Sequence, residues 1–412
     1  MLNTGMVTLL VSGSIAAYKS AEIVRELVRR GMKVQVVMSH AATKFISPLT
    51  LQSLSGTPVT TDLFDEVREA KINHIRLADS ANIVVAAPAT ADLIAKTAAG
   101  FADDALTTVI LATKAPILFA PAMNVNMWRN PLTQRNVEAL KKMGMHFVEP
   151  TEGELACGWF GQGRLAEMDS LMHGIEYTLT NKDLRGSHVI VSAGPTREAI
   201  DPVRFVSNRS TGKMGFSIAK VAQLRGAKVS LVSGPCSLVP PIGVDFYPVN
   251  TACEMRDKIF DLATRHEGDK TDLPTQFIFM SAAVTDHGPA VTSATKLKQD
   301  KKASYRLEMV PNPDILMELG DQREKIEEKS KRVLKLIGFS AETGEDEEVV
   351  AWAKEKLYKK NADLIIGNNV NDGFEKDTNR VWVLDKGGRQ EELATSDKEL
   401  IAKKIIDAAL RA

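Results

Sequence analysis

Two stretches of the chain share the same order of apolar and polar segments. Residues 7–13 (VTLLVSG) form an apolar run that ends in glycine, a helical pattern follows from Ala17 to Arg30, and Gly31 precedes a second apolar run at 33–39. The same order of strand, helix, glycine and strand recurs over residues 188–234. Because continuous apolar strands alternate with helices, the pattern predicts parallel sheets that carry helices on both faces.

Further apolar runs predict five more strands, at residues 81–88, 115–122, 276–283, 333–342 and 362–368. The apolar periodicity lapses at 181–186, and a chain of 45.0 kDa exceeds what one hydrophobic core usually supports. We therefore expect two Rossmann-like, doubly wound α/β domains, 1–183 and 184–412. Two polar stretches, 266–275 and 323–332, predict surface insertions in contact with solvent.

Composition narrows the classes of partner. Lys plus Arg and Asp plus Glu both number 52, so the formal net charge is zero and gives no electrostatic reason to expect nucleic acid. The sequence has no run of eighteen apolar residues and no signal segment, which predicts a cytoplasmic protein that does not enter a membrane. Its three cysteines form no CxxC pair, which argues against a disulfide framework or a zinc site. The expected partners are small molecules.

In doubly wound sheets, ligands bind beyond the carboxyl ends of the strands. GSIAAYK (13–19) follows the first strand and opens a helix, where it fits either a phosphate site or an ordinary tight turn. It is not a GxGxxG fingerprint, and the sequence has no GxxxxGK[ST] motif. Ser39 and AAPATAD (86–92) follow two other strands, where small residues would admit a flat ring or simply pack closely.

Three further residues are candidates for chemistry in the first half. His74 lies beside a predicted helix start, where a lone histidine is more often structural than catalytic. PAMNVNMW (121–128) places Asn124 and Asn126 directly after a strand, and amides are costly to bury without partners. Cys157 lies in ELACGWFGQGR (154–164), a glycine-rich segment that we expect to be mobile and able to close over a ligand. A nucleophile, a redox sensor and a buried filler are all open readings of this thiol.

Longer motifs carry a family resemblance. GSIAAYK, HIRLA, APATADLIAKTAAGFADD, PAMNVNMW and ACGWFGQGR, in this order, resemble the flavin-dependent cysteine decarboxylases. The second half resembles phosphopantothenate–cysteine ligases in SAGPTREAIDPVRFVSNRSTGKMG (192–215), SAAVTDHGP (281–289), KLK (296–298), NPDIL (312–316) and GFSAET (338–343). Both halves together resemble the bifunctional enzyme family of coenzyme A biosynthesis, from about residue 6 to the C-terminus.

The resemblance implies two reactions and their ligands. The C-terminal half would join L-cysteine to 4'-phosphopantothenate with CTP and Mg²⁺, through an acyl-cytidylate. The N-terminal half, a flavodoxin-like domain, would use FMN to decarboxylate 4'-phosphopantothenoylcysteine to 4'-phosphopantetheine. Two other readings are a single-activity flavoprotein that decarboxylates a peptidyl cysteine, and a regulatory flavoprotein of the same fold. The intact motifs of both halves argue against each of them.

For the decarboxylase, the resemblance implies roles for three side chains. His74 would act as a base or orient the substrate carboxylate, Asn124 would bind that carboxylate, and Cys157 would donate a proton in the final reduction. A thiol suits the last role because its ordinary pKa of about 8.5 leaves it mostly protonated yet able to release a proton. The residues implied to hold FMN are Gly13, Ser14, Ser39, Pro88, Ala89 and Thr90.

For the ligase, the resemblance implies that Lys296 is catalytic in the cysteine-coupling half and that Asn208 helps turn over the acyl-cytidylate. Asp286 would face the nucleotide and its metal ion. Lys356 and Lys360, four apart on a predicted helix, would contact phosphate, although a solvated charged face is the ordinary explanation. The residues implied to bind CTP are Met280, Ser281, Ala282, Asp286, Lys296, Pro313, Asp314, Ile315, Leu316, Phe339, Lys356 and Lys360.

The chain departs from the usual family pattern at a few positions beside these residues. Thr285 and Ser340 stand where alanine is common, and His287 and Gly288 replace an aromatic residue and an arginine. KLKQDKK (296–302) replaces a more compact lysine motif. The resemblance also implies a homo-oligomer, with trimeric flavin domains and dimeric ligase domains.

Overall fold

The computed structural model describes residues 5–62, 73–155, 158–266, 275–298, 306–373 and 376–412, except the side chains of residues 73 and 74. The chain folds as two compact units, Met1–Thr180 and Asn181–Ala412. Among the described residues, no helix is both long enough and apolar enough to cross a membrane.

The first unit contains a parallel sheet, a small hairpin and eight α-helices among its described residues. Its strands are β1 Met6–Val11, β2 Lys33–Met38, β3 Ile83–Ala89, β4 Ile117–Pro121, β5 His146–Phe147, β6 Thr151–Glu154 and β7 Phe160–Arg164. Its helices are α1 Ser20–Arg29, α2 Pro48–Ser55, α3 Asn73–Asp79, α4 Ala91–Ala99, α5 Ala105–Ala112, α6 Val125–Arg129, α7 Pro131–Lys142 and α8 Met168–Leu179. Two 3-10 helices, Ile15–Lys19 and Ala42–Lys44, follow β1 and β2.

The parallel sheet of this unit has the order β2-β1-β3-β4-β5. Side chains alternate between its faces, so that Val7 and Leu9 of β1 join one core and Leu10 joins the other. The first core is covered by α1, α2 and α8, and the second by α4, α5 and α7. From β1, the chain first adds β2 on one side and then adds β3 and β4 on the other side, with all strands parallel. The boundary between β1 and β3 is therefore the switch point, where such folds bind their ligands.

The second unit contains a larger sheet and two short ribbons. Its strands are β8 His188–Ala193, β9 Arg197–Ala199, β10 Phe205–Ser207, β11 Lys228–Ser233, β12 Asp245–Pro248, β13 Thr275–Met280, β14 His287–Pro289, β15 Met309–Pro311, β16 Val333–Glu342, β17 Leu364–Asn369, β18 Thr378–Asp385 and β19 Gln390–Asp397. Its helices are α9 Lys213–Leu224, α10 Ala252–Ala263, α11 Ile315–Asp321, α12 Arg323–Ser330, α13 Asp346–Lys359, α14 Val370–Gly373 and α15 Lys398–Arg411.

The larger sheet has the order β12-β11-β8-β13-β16-β17-β18-β19, with its switch point between β8 and β13. The strands from β12 to β17 are parallel, whereas β18 and β19 are antiparallel. One face is covered by α9 and α15, and the other by α10 to α13. The antiparallel ribbons β9–β10 and β14–β15 lie outside this sheet.

The doubly wound α/β class predicted from the apolar pattern is confirmed in both units. The expectation of a solvated insertion at 323–332 holds for only one side of the segment, because it forms α12, which exposes Glu324, Lys325, Glu328 and Lys329 but buries Ile326, 1% exposed. Arg323 also turns inward and donates to the carbonyl oxygen of Leu334 at 2.8 Å. Of the other expected insertion, 266–275, residues 267–274 lie outside the described residues.

Candidate active sites

Three loops meet at the carboxyl edge of the first sheet, beyond the adjacent strands β2, β1 and β3. The main-chain N–H of Ser39 donates to the carbonyl oxygen of Val11 at 3.0 Å, which joins the ends of β2 and β1. A Cβ atom built on Gly13 would lie 2.4 Å from the Cβ of Ala41. Gly13 therefore lets the two loops approach more closely than any side chain would allow.

Two serine hydroxyls tie the end of β3 to the segment between β1 and α1 and to the first residue of α1. Ser12 Oγ donates to the carbonyl oxygen of Pro88 at 2.7 Å and accepts from the main-chain N–H of Thr90 at 2.9 Å. Ser20 Oγ donates to the carbonyl oxygen of Ala87 at 3.0 Å. The peptide bond between Ala87 and Pro88 is cis. Sequence reasoning missed both serines, although their position after an apolar strand was a usable signal.

Two of the residues implied to hold FMN also begin helical segments. Ser14 Oγ accepts from the N–H of Ala16 at 3.3 Å and caps the 3-10 helix that continues into α1. Thr90 Oγ1 accepts from the N–H of Leu93 at 3.3 Å and caps α4. The structure thus brings Gly13, Ser14, Ser39, Pro88, Ala89 and Thr90 to one edge of one sheet.

Asn124 has a structural task that the sequence did not reveal. It is half-buried and caps α6, where its Oδ1 accepts from the main-chain N–H of Asn126 at 2.8 Å. The side chain of Asn126 is exposed, so only one of the two amides lies in a position where it needs protein partners. Helix capping therefore gives Asn124 one physical role in addition to the substrate contact that the resemblance implies.

The glycine-rich segment 154–164 includes the end of β6 and the whole of β7, which pair as an antiparallel hairpin. Its second strand contacts the loop that carries Asn124, since the N–H of Met123 donates to the carbonyl oxygen of Gly163 at 3.0 Å. A Cβ atom on Gly163 would lie 2.3 Å from the carbonyl oxygen of Met123, so close packing accounts for this glycine. Cys157 itself lies outside the described residues, and His74 falls within α3 but its side chain is not described.

In the second unit, Asn208 bridges two loops. It follows β10, and its Nδ2 donates to the carbonyl oxygens of Ala283 at 3.2 Å and Val284 at 3.1 Å. Ser281 Oγ donates to the carbonyl oxygen of Ser192 at 2.6 Å, which joins the ends of β13 and β8 at the switch point. The carboxyl edge of the larger sheet is thereby connected to the ribbon β9–β10.

A cavity of about 120 Å³ opens at this edge. Three of the residues implied to bind CTP line it, namely Ser281, Ala282 and Phe339. Sequence reasoning missed other lining residues, which are Ser210, Thr211, Gly212 and Lys213 before and at the start of α9, and Asn368, Asn379 and Lys398. The signal for the first group was the run STGK directly before a helix. Met280 is 7% exposed and packs in the core, so its side chain points away from solvent.

Lys398, at the start of α15, is an unusual lining residue because it is only 7% exposed. Its Nζ donates to the carbonyl oxygens of Gly373 at 2.9 Å and Lys376 at 2.6 Å. Burial lowers the pKa of Lys398, and the nearby charge of Lys213 lowers it further. Lys213 is itself paired with Asp377 at 2.6 Å, so both lysines are held by the segment that follows α14.

The two lysines of the predicted phosphate site each contact a carboxylate. Lys356, in α13, pairs with Glu342 at the end of β16 at 2.7 Å, and Ser340 Oγ donates to the same carboxylate at 2.8 Å. Lys360 lies just beyond the helix, at its C-cap, and pairs with Asp314. Asp314 in turn caps α11, where it accepts from the N–H of Met317 at 3.1 Å. The residue Ser340, which departs from the family pattern, thus holds the partner of Lys356.

Asp286 is exposed, and a buried polar network supports the chain on either side of it. The hydroxyl groups of Thr196 and Thr285 lie 3.0 Å apart, and Asn312 Nδ2 donates to the carbonyl oxygen of Thr285 at 2.8 Å. The N–H of Asn312 donates to the carbonyl oxygen of Asp286 at 2.8 Å. No group of three or more His, Cys, Asp or Glu side chains suited to a metal occurs in the part of the chain that the structure describes.

The structure therefore gathers some of the implied ligase residues and leaves others apart. Ser281, Ala282 and Phe339 share one cavity, whereas Leu316 packs against β16 at Gly338, in the core on the opposite face of the sheet from Phe339. The residues outside the lining of that cavity are Met280, Asp286, Lys296, Pro313, Asp314, Ile315, Leu316, Lys356 and Lys360. Lys296 is exposed and precedes Leu297, whose main chain is held by the β9–β10 ribbon.

Comparisons with known proteins found relatives for both halves of the chain. The family model described as "Flavoprotein" matches residues 1–180, and that described as "DNA/pantothenate metabolism flavoprotein C-terminal domain" matches residues 184–412. The chain is 42% identical to the coenzyme A biosynthesis bifunctional protein CoaBC of Bacillus subtilis, over 98% of this chain and 97% of that protein. It is 43% identical to the protein of the same name from Vibrio cholerae, over 96% and 95% of the two chains. A crystal structure of a CoaBC C-terminal domain is 33% identical, covers 56% of this chain and 98% of that chain, and has a TM-score of 0.44.

Proposed function

The chain belongs to the family of coenzyme A biosynthesis bifunctional proteins, a family of two-domain enzymes, and from that premise we propose how its two units divide the work. Residues 1–183 form an FMN-dependent phosphopantothenoylcysteine decarboxylase domain. Residues 184–412 form a CTP-dependent phosphopantothenate–cysteine ligase domain. The observation that carries this proposal is that the cofactor residues of the first unit and several nucleotide residues of the second meet at the carboxyl edges of two separate sheets, each beside a switch point.

The carboxyl edge of the first sheet has the chemistry that an FMN site requires. Gly13 and Ala89 present main chain without bulky side chains, and Ser14 and Thr90 begin helical segments whose amide ends favour a phosphate. Bound FMN supplies the electron sink that decarboxylation of a cysteine carboxylate requires. Asn124, already fixed by its capping bond, holds the substrate carboxylate.

The remaining decarboxylase roles concern protons and come from the family motifs. His74 orients the substrate or accepts a proton during its oxidation, and Cys157 returns a proton to the product in the final reduction. Strand β7, which follows Cys157 in the sequence, contacts the Asn124 loop through Met123 and Gly163.

In the ligase unit, the cavity at the switch point binds CTP. The exposed Asp286 carboxylate and the nucleotide phosphates together hold Mg²⁺, which commonly uses one or two protein carboxylates plus substrate phosphates. Lys213 at the start of α9, together with Lys356 and Lys360, supplies positive charge for the triphosphate. Asn208 and Lys296 act after the acyl-cytidylate has formed, when the amine of L-cysteine displaces CMP.

Assembly and location complete the proposal. Flavin domains associate as trimers and ligase domains as dimers, and the enzyme works in the cytoplasm on 4'-phosphopantothenate, L-cysteine and CTP. An exposed apolar tip on the first unit, formed by Trp159 and Phe160 of the β6–β7 hairpin, is suited to such a contact.

The test uses the purified full-length protein. It should show a flavin absorption spectrum, and with 4'-phosphopantothenate, CTP, Mg²⁺ and L-cysteine it should release pyrophosphate first and carbon dioxide second. Omission of CTP should prevent both, whereas added 4'-phosphopantothenoylcysteine should restore carbon dioxide release without CTP. A yellow protein that releases no pyrophosphate would favour the single-activity decarboxylase, and a protein that releases neither would favour a regulatory flavoprotein.

A further inference from the structure

The turn between β9 and β10 contains an ion pair between a buried carboxylate, Asp201, and the partly exposed Arg204, which the proposed mechanism does not use. The Asp201 side chain is 0% exposed, and its Oδ1 accepts from the main-chain N–H groups of Val203 at 2.9 Å and Arg204 at 2.8 Å. The Arg204 guanidinium donates to Oδ2 from Nε at 3.0 Å and from Nη2 at 2.6 Å. Every one of these contacts lies within four residues of sequence, so these bonds are local to the turn.

The same pair also binds a second segment, which lies more than ninety residues later in the sequence. The main-chain N–H of Leu297 donates to Asp201 Oδ2 at 3.2 Å, and Arg204 Nη2 donates to the carbonyl oxygen of Leu297 at 3.2 Å. Both main-chain polar groups of Leu297 are therefore held by one carboxylate–guanidinium pair. Leu297 directly follows Lys296, whose proposed role is in cysteine coupling.

The β9–β10 ribbon also holds the chain before Lys296 and the loop before Asp286. Upstream of Lys296, the N–H of Ser293 donates to the carbonyl oxygen of Ile200 at 3.0 Å. At the other end of the ribbon, Asn208 binds the carbonyl oxygens of Ala283 and Val284. One short ribbon therefore connects three residues of the proposed ligase site, namely Asn208, Asp286 and Lys296.

A lysine side chain has four rotatable carbon bonds, so the position of its amine depends on where its main chain is held. The Arg204 guanidinium keeps the pKa of Asp201 well below its usual range, and main-chain N–H donors lower it further, so Asp201 stays charged at every pH at which the enzyme works. An asparagine at this position would lose that charge and turn an amide N–H toward Arg204 or Leu297.

We propose that Asp201 is a positioning residue for the ligase reaction, whose carboxylate holds the main chain of Leu297 and thereby places Lys296 for the coupling of cysteine. This inference rests on the proposed role of Lys296. It separates the residue that holds the segment from the residue that acts on the substrate.

The test compares Asp201→Asn with a matched carboxylate elsewhere in the same unit. The Asp363 side chain is 18% exposed, and it accepts hydrogen bonds from Arg323 Nη2 at 2.8 Å and from the main-chain N–H of Leu336 at 2.7 Å. Asp363 lies directly before β17, at the amino end of that strand. Both asparagine variants lose the charge of an arginine-paired carboxylate. Thermal unfolding measures the structural cost of each, and full-length protein is used throughout.

The kinetic readout separates the two half-reactions. In Asp201→Asn, we expect kcat for formation of 4'-phosphopantothenoylcysteine to fall about tenfold, while the KM for CTP and the single-turnover release of pyrophosphate stay within about twofold of the parent enzyme. Asp363→Asn should leave kcat within about twofold. The double variant Asp201→Asn/Lys296→Gln should couple no more slowly than Lys296→Gln, because both changes remove the same function.

Any other result contradicts either the inference about Asp201 or the proposed role of Lys296. If Lys296→Gln is impaired but Asp201→Asn couples cysteine as fast as Asp363→Asn does, Asp201 is only structural and the inference is wrong. The inference is also wrong if the defect of Asp201→Asn adds to that of Lys296→Gln in the double variant. If Lys296→Gln couples normally, the proposed role of Lys296 fails and this inference fails with it. Should Asp201→Asn not fold, Asp201→Glu decides, because it keeps the negative charge but moves the carboxylate by one methylene group from the N–H of Leu297; a loss of coupling is expected, and normal coupling overturns the inference.

Discussion

The carboxyl edges of the two sheets are built from different chemistry. In the first unit, the loops are joined by serine hydroxyls and main-chain groups, as in the bonds from Ser12 and Ser20 to the segment 87–90. In the second unit, the lysines proposed to contact phosphate are already paired with carboxylates, Lys356 with Glu342 at the end of β16 and Lys360 with Asp314 at the start of α11.

This difference suits the ligand proposed for each edge. Satisfied hydrogen bonds between loops make the surface rigid, which favours a ligand that stays in place. A lysine paired with a carboxylate remains neutralised until a polyphosphate replaces its partner, which favours a ligand that enters and leaves. The comparison therefore predicts that substitutions at the two edges act on separate activities and by separate physical means.

The largest expected effect is a clean separation of the two activities. His74→Gln should reduce decarboxylation about 100-fold or more and leave pyrophosphate release unchanged, because general acid–base groups contribute factors of this size. Lys296→Gln should leave decarboxylation unchanged and reduce only the multiple-turnover release of pyrophosphate, because the acyl-cytidylate forms but is not consumed; Lys298→Gln, which changes an exposed lysine two residues away, is its control. Carbon dioxide and pyrophosphate are measured in parallel, with 4'-phosphopantothenoylcysteine supplied for the first. Loss of both activities in either variant would contradict independent sites.

A smaller effect is expected from Gly13→Ala. The added methyl group would lie 2.4 Å from the Cβ of Ala41, so the loops after β1 and β2 must separate, at a cost of about 1–3 kcal/mol. We expect flavin affinity to fall about tenfold, with ligation unchanged. Flavin fluorescence during dilution measures that affinity. The double variant Gly13→Ala/Ala41→Gly, which removes the opposing methyl group, should recover part of it; full flavin affinity in the single variant would show that this approach is not needed.

A several-fold effect is expected at the paired lysines. Glu342→Gln removes the carboxylate bound by Lys356, so the lysine no longer has to exchange partners when CTP arrives. We expect the KM for CTP to fall about threefold at low salt, and the difference to shrink as salt screens the charges. Glu391→Gln, which breaks an ion pair with Arg389 beside the β18–β19 turn, is the control. A higher KM for CTP in Glu342→Gln would mean that the carboxylate positions Lys356 instead of competing for it.

The smallest effect concerns charge in the first unit away from its carboxyl edge. Hydrogen bonds from Arg29 and then Arg30 lower the pKa of Glu26 from 4.5 to about 2. A carboxyl group with a lowered pKa stabilises the fold above its ordinary pKa, and that contribution disappears as the pH falls toward about 2. Glu26→Gln should therefore lower the free energy of unfolding by less than about 1 kcal/mol at pH 7, and by less still near pH 3. Flavin content should not change, and a loss of flavin would show that the charge acts at the site.

Apolar runs predicted both sheets well because their strands are buried on both faces and read as continuous stretches of Val, Ile, Leu and Ala. The segment 323–332 misled the same reasoning, since eight helical residues contain only Ile326 as a large apolar side chain. The pair β18–β19 was missed because the apolar run of β18 covers only residues 381–384, and β19 is mostly polar and partly exposed. The position of β18 and β19 at the edge of the sheet depends on how the strands pair, which their own sequences do not reveal.

For the sites, the motif residues were predicted one by one, but their supports were not. Ser12, Ser20 and Ser192 are small residues without a pattern, and their value comes from carbonyl groups that lie many residues away in sequence. The same holds for Asp201, whose partner Leu297 becomes a neighbour only when the β9–β10 ribbon has formed. Departures such as Ser340 became interpretable once Glu342 and Lys356 were seen beside it.

By itself, the amino-acid sequence determined the α/β class, the order of the elements and the set of motif residues, because periodicity and local motifs are properties of short segments. Only the tertiary structure decided which loops share an edge, which lysines are already paired and which carboxylate holds the Lys296 segment. The physical reason is distance along the chain. A hydrogen bond or ion pair acts over about 3 Å in space, and its partners can be separated by any number of residues until folding brings them together.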